Sequence, residues 1–185
     1  MLILRIKISL LVLFCFTSCG YHMGRGDFVS SYSSITIPYV SGDNQGDLTT
    51  EIIKAFSQSG VSVSGCCGRL LLEICLFSPN DENIGYTFAY TEDGTRTKIV
   101  ASNEARISAT AKVTLIDQCS GRRLLGPCSI TAYTDFDFEP DLSTVNSHDF
   151  ALGQLEMHPQ AFDVAKHPLY RCLAEKIVDY VVHNW

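Results

Sequence analysis

The hydrophobic positions of the chain change period several times, and each change marks an element. Ile8 to Phe16 is an almost unbroken apolar run behind Arg5 and Lys7. The run is too short for a membrane-crossing helix, which needs roughly 20 apolar residues, and it has the proportions of a signal-peptide core. Residues 20 to 33 are rich in Gly and Ser, lack periodicity, and read as a tether. Ile35, Ile37 and Tyr39 then alternate with Thr36, Pro38 and Val40 and predict a first strand. Pro38 cannot donate to a ladder, which suits an edge or an end. After a loop at Asp43 to Gly46 the period becomes helical, with Leu48, Ile52, Ala55, Phe56 and Ser59 on one stripe. Asp47 is placed to cap this helix and Gly60 to stop it.

Strand periodicity follows. Leu70, Leu72, Ile74 and Leu76 alternate with Leu71, Glu73, Cys75 and Phe77, apolar on both faces as in a central strand. Ser78 to Glu82 breaks the pattern, and Ile84, Tyr86, Phe88 and Tyr90 form the next alternating set. Asp93-Gly94 supplies a hairpin turn, with the chain returning from Thr97. Ile107, Ala109, Ala111, Val113 and Leu115 oppose Ser108, Thr110, Lys112 and Thr114. Beyond a turn at Asp117 to Gly121 and an interruption at Gly126-Pro127, Ile130, Ala132, Phe136 and Phe138 oppose Thr131, Tyr133, Asp135 and Asp137. One apolar and one polar face is the pattern of a sheet covered on one side. Residues 139 to 158 are irregular, and 161 to 165 suggest a turn of helix before a kink. A last helix carries Leu169, Leu173, Ile177, Tyr180 and Val181 on its stripe, with Pro168 in the first turn. This order predicts an α+β two-layer sandwich: a mostly antiparallel, mixed sheet with two helices packed on one face. No internal repeat is evident.

Composition narrows the partners. Removing residues 1–18 takes Arg5 and Lys7 away and moves the formal charge from -6 to -8. The remaining 167 residues suffice for one domain. An acidic domain lacks the basic footprint of a nucleic-acid binder, so no nucleic acid is expected. No later stretch is apolar enough to span a membrane, which leaves a lipid as the expected anchor. Six cysteines remain after Cys19: Cys66, Cys67, Cys75, Cys119, Cys128 and Cys172. Export and the even count favour one or two disulfides, of unassigned pairing; small buried hydrophobes are the other reading.

Phe16-Thr17-Ser18-Cys19-Gly20 resembles the lipobox of bacterial lipoproteins, in which small residues precede a cysteine that is diacylated and becomes the N-terminus. Phe16 stands where Leu is usual. The resemblance implies lipidation at Cys19 and a division into signal peptide 1–18, anchor and tether 19–33, and a single domain 34–185. The Cys19-Gly20-Tyr21-His22 start, the Ser34-Ile35-Thr36-Ile37-Pro38 strand, the Leu48-Thr49 helix start, the Ser59-Gly60 stop and the leucine-rich strand together resemble the LptE family. These lipoproteins help assemble lipopolysaccharide in the outer membrane. The resemblance implies a sheet of about four strands with two helices on one face, an outer-membrane location, and two partners. These are a barrel translocon of the LptD type and lipopolysaccharide itself. Pro79 to Arg106 and Glu139 to His158 are longer than the family core requires.

Candidate chemistry is sparse. No G-x-S-x-G, H-E-x-x-H, Walker A or dinucleotide fingerprint occurs. His22, His148, His158, His167 and His183 share no ligand spacing. Neither a metal nor another cofactor is therefore expected. Asp135 and Asp137 are conceivable as a catalytic pair, but a solvated strand face explains them better, and no enzyme is expected. Arg25-Gly26-Asp27 lies in the tether and carries no weight. Lipopolysaccharide bears phosphates, so an acidic protein needs local positive charge to receive it. Arg96 with Lys98 after one turn, and Arg122 with Arg123 after another, are the two candidates, since Arg matches phosphate with a planar fork. Both turns join antiparallel strands, and the expectation is that they share one end of the sheet. A scaffold or adhesin lipoprotein, periplasmic or surface-exposed, is the alternative to the assembly role.

Overall fold

The computed structural model describes residues 34–90, 93–138 and 157–183. Its elements are β1 (Ile35–Thr36), α1 (Asp47–Gln58), β2 (Val63–Ser64), β3 (Leu70–Leu76), β4 (Asn80–Tyr90), β5 (Arg96–Asp117), β6 (Arg123–Asp137) and α2 (Met157–His183). The six strands make one mixed sheet and the two helices pack on one of its faces. This is the expected two-layer α+β sandwich, with six strands where the resemblance implied about four. Both β2 and β3 pair with β1 in parallel, and every other pairing is antiparallel. No helix among the described residues is long and apolar enough to cross a membrane.

The core follows from the two periodicities. Alternate residues of β3 (Leu70, Leu72, Ile74, Leu76) and β5 (Ile107 through Leu115) point to the helices and are buried. Against them lie Leu48, Ile52 and Phe56 of α1 and Leu169, Leu173 and Ile177 of α2, all fully buried. Gly60, at φ 76°, ends α1 in a Schellman arrangement. The Val61 N–H donates to the Phe56 carbonyl and the Gly60 N–H to the Ser57 carbonyl, both at 3.1 Å.

β5 organises the sheet. It is 22 residues long, and β6 occupies one of its edges from Glu104 to Ile116. The other edge is shared in series, by β3 along Ala111–Asp117 and by β4 along Arg96–Ser108. Before Glu104, therefore, β4 and β5 continue as a two-stranded ribbon with no third strand among the described residues. At about 3.3 Å per residue, Arg96 to Asn103 extends this ribbon by roughly 25 Å. The ribbon is most of the long Pro79–Arg106 segment.

Three expectations change. The break after β3 is shorter than Ser78 to Glu82, because Asn80 and Asp81 already pair with Ser108 and Ile107. Gly126-Pro127 does not end a strand; β6 passes through it with a register shift. Pro168 lies inside α2 instead of in its first turn. Packing explains the longer helix: Phe162 meets Phe136 edge-on at 6.5 Å between ring centroids, and Ala165 is buried. Tertiary contact thus holds a turn-rich segment helical ahead of a proline that costs a helix interior about 3 kcal/mol.

Candidate functional site

The face of the sheet away from the helices is polar, as the alternation of β5 and β6 requires. Lys112, Thr131, Tyr133, Asp135 and Asp137 are exposed, and Ser108, Thr110 and Thr114 are half-buried beside them. Register pairs Thr110 with Thr131, Ser108 with Tyr133 and Arg106 with Asp135. The two threonine hydroxyls bond at 2.8 Å. Arg106 grips Asp135 bidentately, at 2.7 Å from Nε and 2.9 Å from Nη2, and its guanidinium stands 4.7 Å from the Tyr133 ring centroid. The Arg106 hydrogen bonds hold the Asp135 carboxyl below the usual carboxylate range, and the same bonds raise the Arg106 pKa. A general acid needs a shift in the opposite direction. From α2, the Lys176 ammonium reaches over the outer edge of β6 and donates to the Thr131 carbonyl at 2.9 Å. A lysine on an open edge hinders uncontrolled strand pairing.

The ribbon has a different surface. Cross-strand pairing sets Tyr86 beside Ser102, Phe88 beside Val100 and Tyr90 beside Arg96. Tyr86, Tyr90 and Val100 are more than half exposed, and Phe88 and Ile99 lie near 40%. The Arg96 guanidinium stacks 3.3 Å from the Phe88 ring centroid. Apolar area of this kind on a strand pair is what partners or membranes cover. At the ribbon's base, His158 of α2 lies 3.2 Å from Asp81 and 4.7 Å, edge-on, from the Phe138 ring. His158 thus links α2 to β4.

The two arginine spots do not act together. Arg96 and Lys98 open β5 and Arg122 and Arg123 follow its end, so they lie at opposite ends of a strand roughly 70 Å long. Consecutive hairpins in a meander must alternate ends, and this corrects the expectation of a shared end. The distal turn is built by Asp117. Its carboxylate accepts from the Cys119 N–H at 3.0 Å and the Ser120 hydroxyl at 2.9 Å, and these bonds hold it below the usual range. Cys19, the leader and the tether lie outside the described residues, as do His22, His148 and residues 139–156. Among the described residues no group of three or more His, Cys, Asp and Glu is arranged to hold a metal. All six cysteines after Cys19 carry free thiols, against the expected one or two disulfides. Cys66 and Cys67 are neighbours in one loop, while Cys75 lies on the open face and Cys172 on α2.

With the fold in view, solved structures can be compared. The chain has the fold of a minor lipoprotein from Acinetobacter baumannii. The two share 18% identity, the match covers 83% of this chain and 92% of that one, and the TM-score is 0.54. The rare lipoprotein B of Shewanella oneidensis aligns more loosely, at 13% identity, 79% and 92% coverage, and a TM-score of 0.45. An uncharacterized lipoprotein B of Nitrosomonas europaea gives 9% identity, 82% and 86% coverage, and 0.43. No protein-family model and no curated protein matches the sequence. At these identities the likeness is one of fold.

Sequence periodicity identified the polar face residue by residue. It missed Arg106, Lys176 and the exposure of the ribbon. The aromatic alternation at Tyr86, Phe88 and Tyr90, lying in a segment longer than a compact core needs, was the available signal.

Proposed function

We propose that this protein is a lipid-anchored outer-membrane lipoprotein that assists lipopolysaccharide assembly by docking on a barrel translocon and contacting lipopolysaccharide. It acts by binding and performs no catalysis. The observation that carries the reading is the one-sided sheet: among the described residues nothing covers the polar face, and it leads into an apolar ribbon of two strands. A face of Thr, Tyr and paired charge suits the water-lined interior of an outer-membrane barrel, whose lumen is polar. The resemblance in the N-terminal motifs and the lipoprotein fold support the same reading.

The geometry distinguishes the two cationic spots. Arg96 and Lys98 lie on the ribbon with Phe88 and Val100, so phosphate-binding and acyl-compatible groups adjoin. Arg122 and Arg123 sit on a turn hydrogen-bonded by Asp117, where the adjoining Leu124 and Leu125 pack against the core. This favours Arg96 and Lys98 as the lipopolysaccharide contact. Charge reversal there (Arg96→Glu with Lys98→Glu) is expected to weaken binding of purified lipopolysaccharide, whereas Arg122→Glu with Arg123→Glu leaves it unchanged.

Photo-crosslinking residues placed at Thr110, Thr131 and Val100 in cells test the docking. Capture of a large outer-membrane barrel from these positions supports the reading. Capture of no barrel from any of them leaves the scaffold or adhesin alternative.

A further inference from the structure

Between β2 and β3 the chain makes a short loop, Gly65-Cys66-Cys67-Gly68, that has no part in the open face or the ribbon. Both thiols are exposed and their Sγ atoms stand 3.5 Å apart. The loop is pinned on both sides by β1. Ser64 pairs with Thr36, and the Gly68 N–H donates to the Thr36 hydroxyl at 2.8 Å in a buried bond. A side chain at Gly68 would meet the Thr36 backbone nitrogen at 2.6 Å, so a glycine is needed for the loop to cross the strand there. The Cys67 N–H donates to Ser64 Oγ at 3.4 Å, while Gly65 faces open space. The two sulfurs are thus presented outward from a loop fixed at its base.

Adjacent residues close poorly into a disulfide. Their Cα atoms are about 3.8 Å apart, short of the roughly 4.4–6.8 Å that an unstrained bridge needs. Chelation asks for something else. At a metal–sulfur bond of about 2.3 Å, sulfurs 3.5 Å apart subtend about 100° at the bound atom, near the tetrahedral or pyramidal angle and far from linear. Thiolates select soft ions.

We propose that Cys66 and Cys67 form a bidentate thiolate site for a thiophilic ligand of the trivalent-arsenic and soft-cation class. With a monosubstituted arsenic(III) oxide the step balances without an oxidant. Two S–H bonds break, two As–S bonds form, and the arsenic's oxygen leaves with both protons as water while arsenic stays trivalent. The second thiolate binds intramolecularly, so chelation outlasts attachment through one sulfur.

The test uses the exported chain with Cys19→Ala, reduced and then treated with one equivalent of phenylarsine oxide. Intact mass is expected to show one arsenical per chain, retained against glutathione and removed by a dithiol. Peptide mapping is expected to show Cys66 and Cys67 alone protected from maleimide. Cys66→Ser and Cys67→Ser should each shorten retention against glutathione by about a hundredfold, the scale of an effective-concentration advantage. Each should leave the melting temperature unchanged, because both side chains are exposed. Retention unaffected by either substitution, or protection mapping to Cys75, Cys119, Cys128 or Cys172, overturns the proposal.

Discussion

Asp43 shows how much one loop residue can decide. Its carboxylate is buried, with Oδ1 accepting from the Gly46 N–H at 3.1 Å and Oδ2 from the Thr49 N–H and hydroxyl at 2.8 Å each. Thr49 Oγ1 in turn accepts from the Val40 N–H at 3.2 Å, which links the helix start to the segment after β1. Gly46 holds the N-cap position of α1, and Asp43, not Asp47, satisfies the first-turn Thr49 N–H. Asp43→Ala should lower unfolding free energy by about 2 kcal/mol, since a lost cap and hydrogen bonds to a charged group each act in that range. A urea titration checks this, with Asp47→Ala expected to cost about 0.5 kcal/mol or less. Asp135 gives a pH dependence. Its folded-state pKa is depressed by Arg106, so its contribution is present above the unfolded value of about 3.9 and fades as pH falls through the lower folded value. The stability difference between the wild type and Asp135→Asn should be constant from neutral pH to about pH 5 and shrink below the unfolded pKa. NMR titration of the Asp135 carboxyl carbon gives the same quantity directly.

At the scale of elements, the two helices and the ribbon divide stability from recognition. Among the described residues none of the fully buried side chains comes from Tyr86–Val100, whereas α1, α2, β3 and the later part of β5 supply most of them. Replacing residues 86–100 by a short turn should leave the thermal transition within a few degrees of the parent while abolishing capture of a barrel partner. Loss of folding in that variant would show that the ribbon belongs to the core. The ribbon's alternation was legible as a strand, but its exposure was not. Period two says which side chains share a face, and whether anything lies against that face depends on where the packed helices end along the sheet. Pro168 is a second instance. Local chemistry places a proline in a first turn, and the contacts of Phe162 and Ala165 with the sheet side extend the helix ahead of it.

For the whole molecule, attachment and fold are separate matters. The domain's core lies within residues 35–182, so losing the anchor should not unfold it. Cys19→Ala should abolish fatty-acid labelling and release a folded protein from membranes, because stable attachment needs two or more acyl chains at about 0.8 kcal/mol per buried CH₂. Retention of the variant on membranes after a high-salt wash would mean that protein contacts anchor it. The one-sided architecture would make such contacts directional: helices shield one face, and among the described residues the other is open.

Sequence alone determined the elements and their faces. The stripe of Leu48, Ile52 and Phe56, the alternation from Ile107 to Leu115 and the stop at Gly60 are local patterns, and side-chain direction follows from backbone period. The polar face at Thr110, Thr131, Tyr133 and Asp135 was readable for the same reason. Only the tertiary structure decided what depends on pairing between distant segments. It separated Arg96 from Arg122 by the length of β5, joined Asp81 to His158, laid Lys176 over the edge of β6, and ended the pairing of β6 with β5 at Glu104. Those outcomes depend on which strand edges meet and where they end, and contacts far apart in the chain fix that choice.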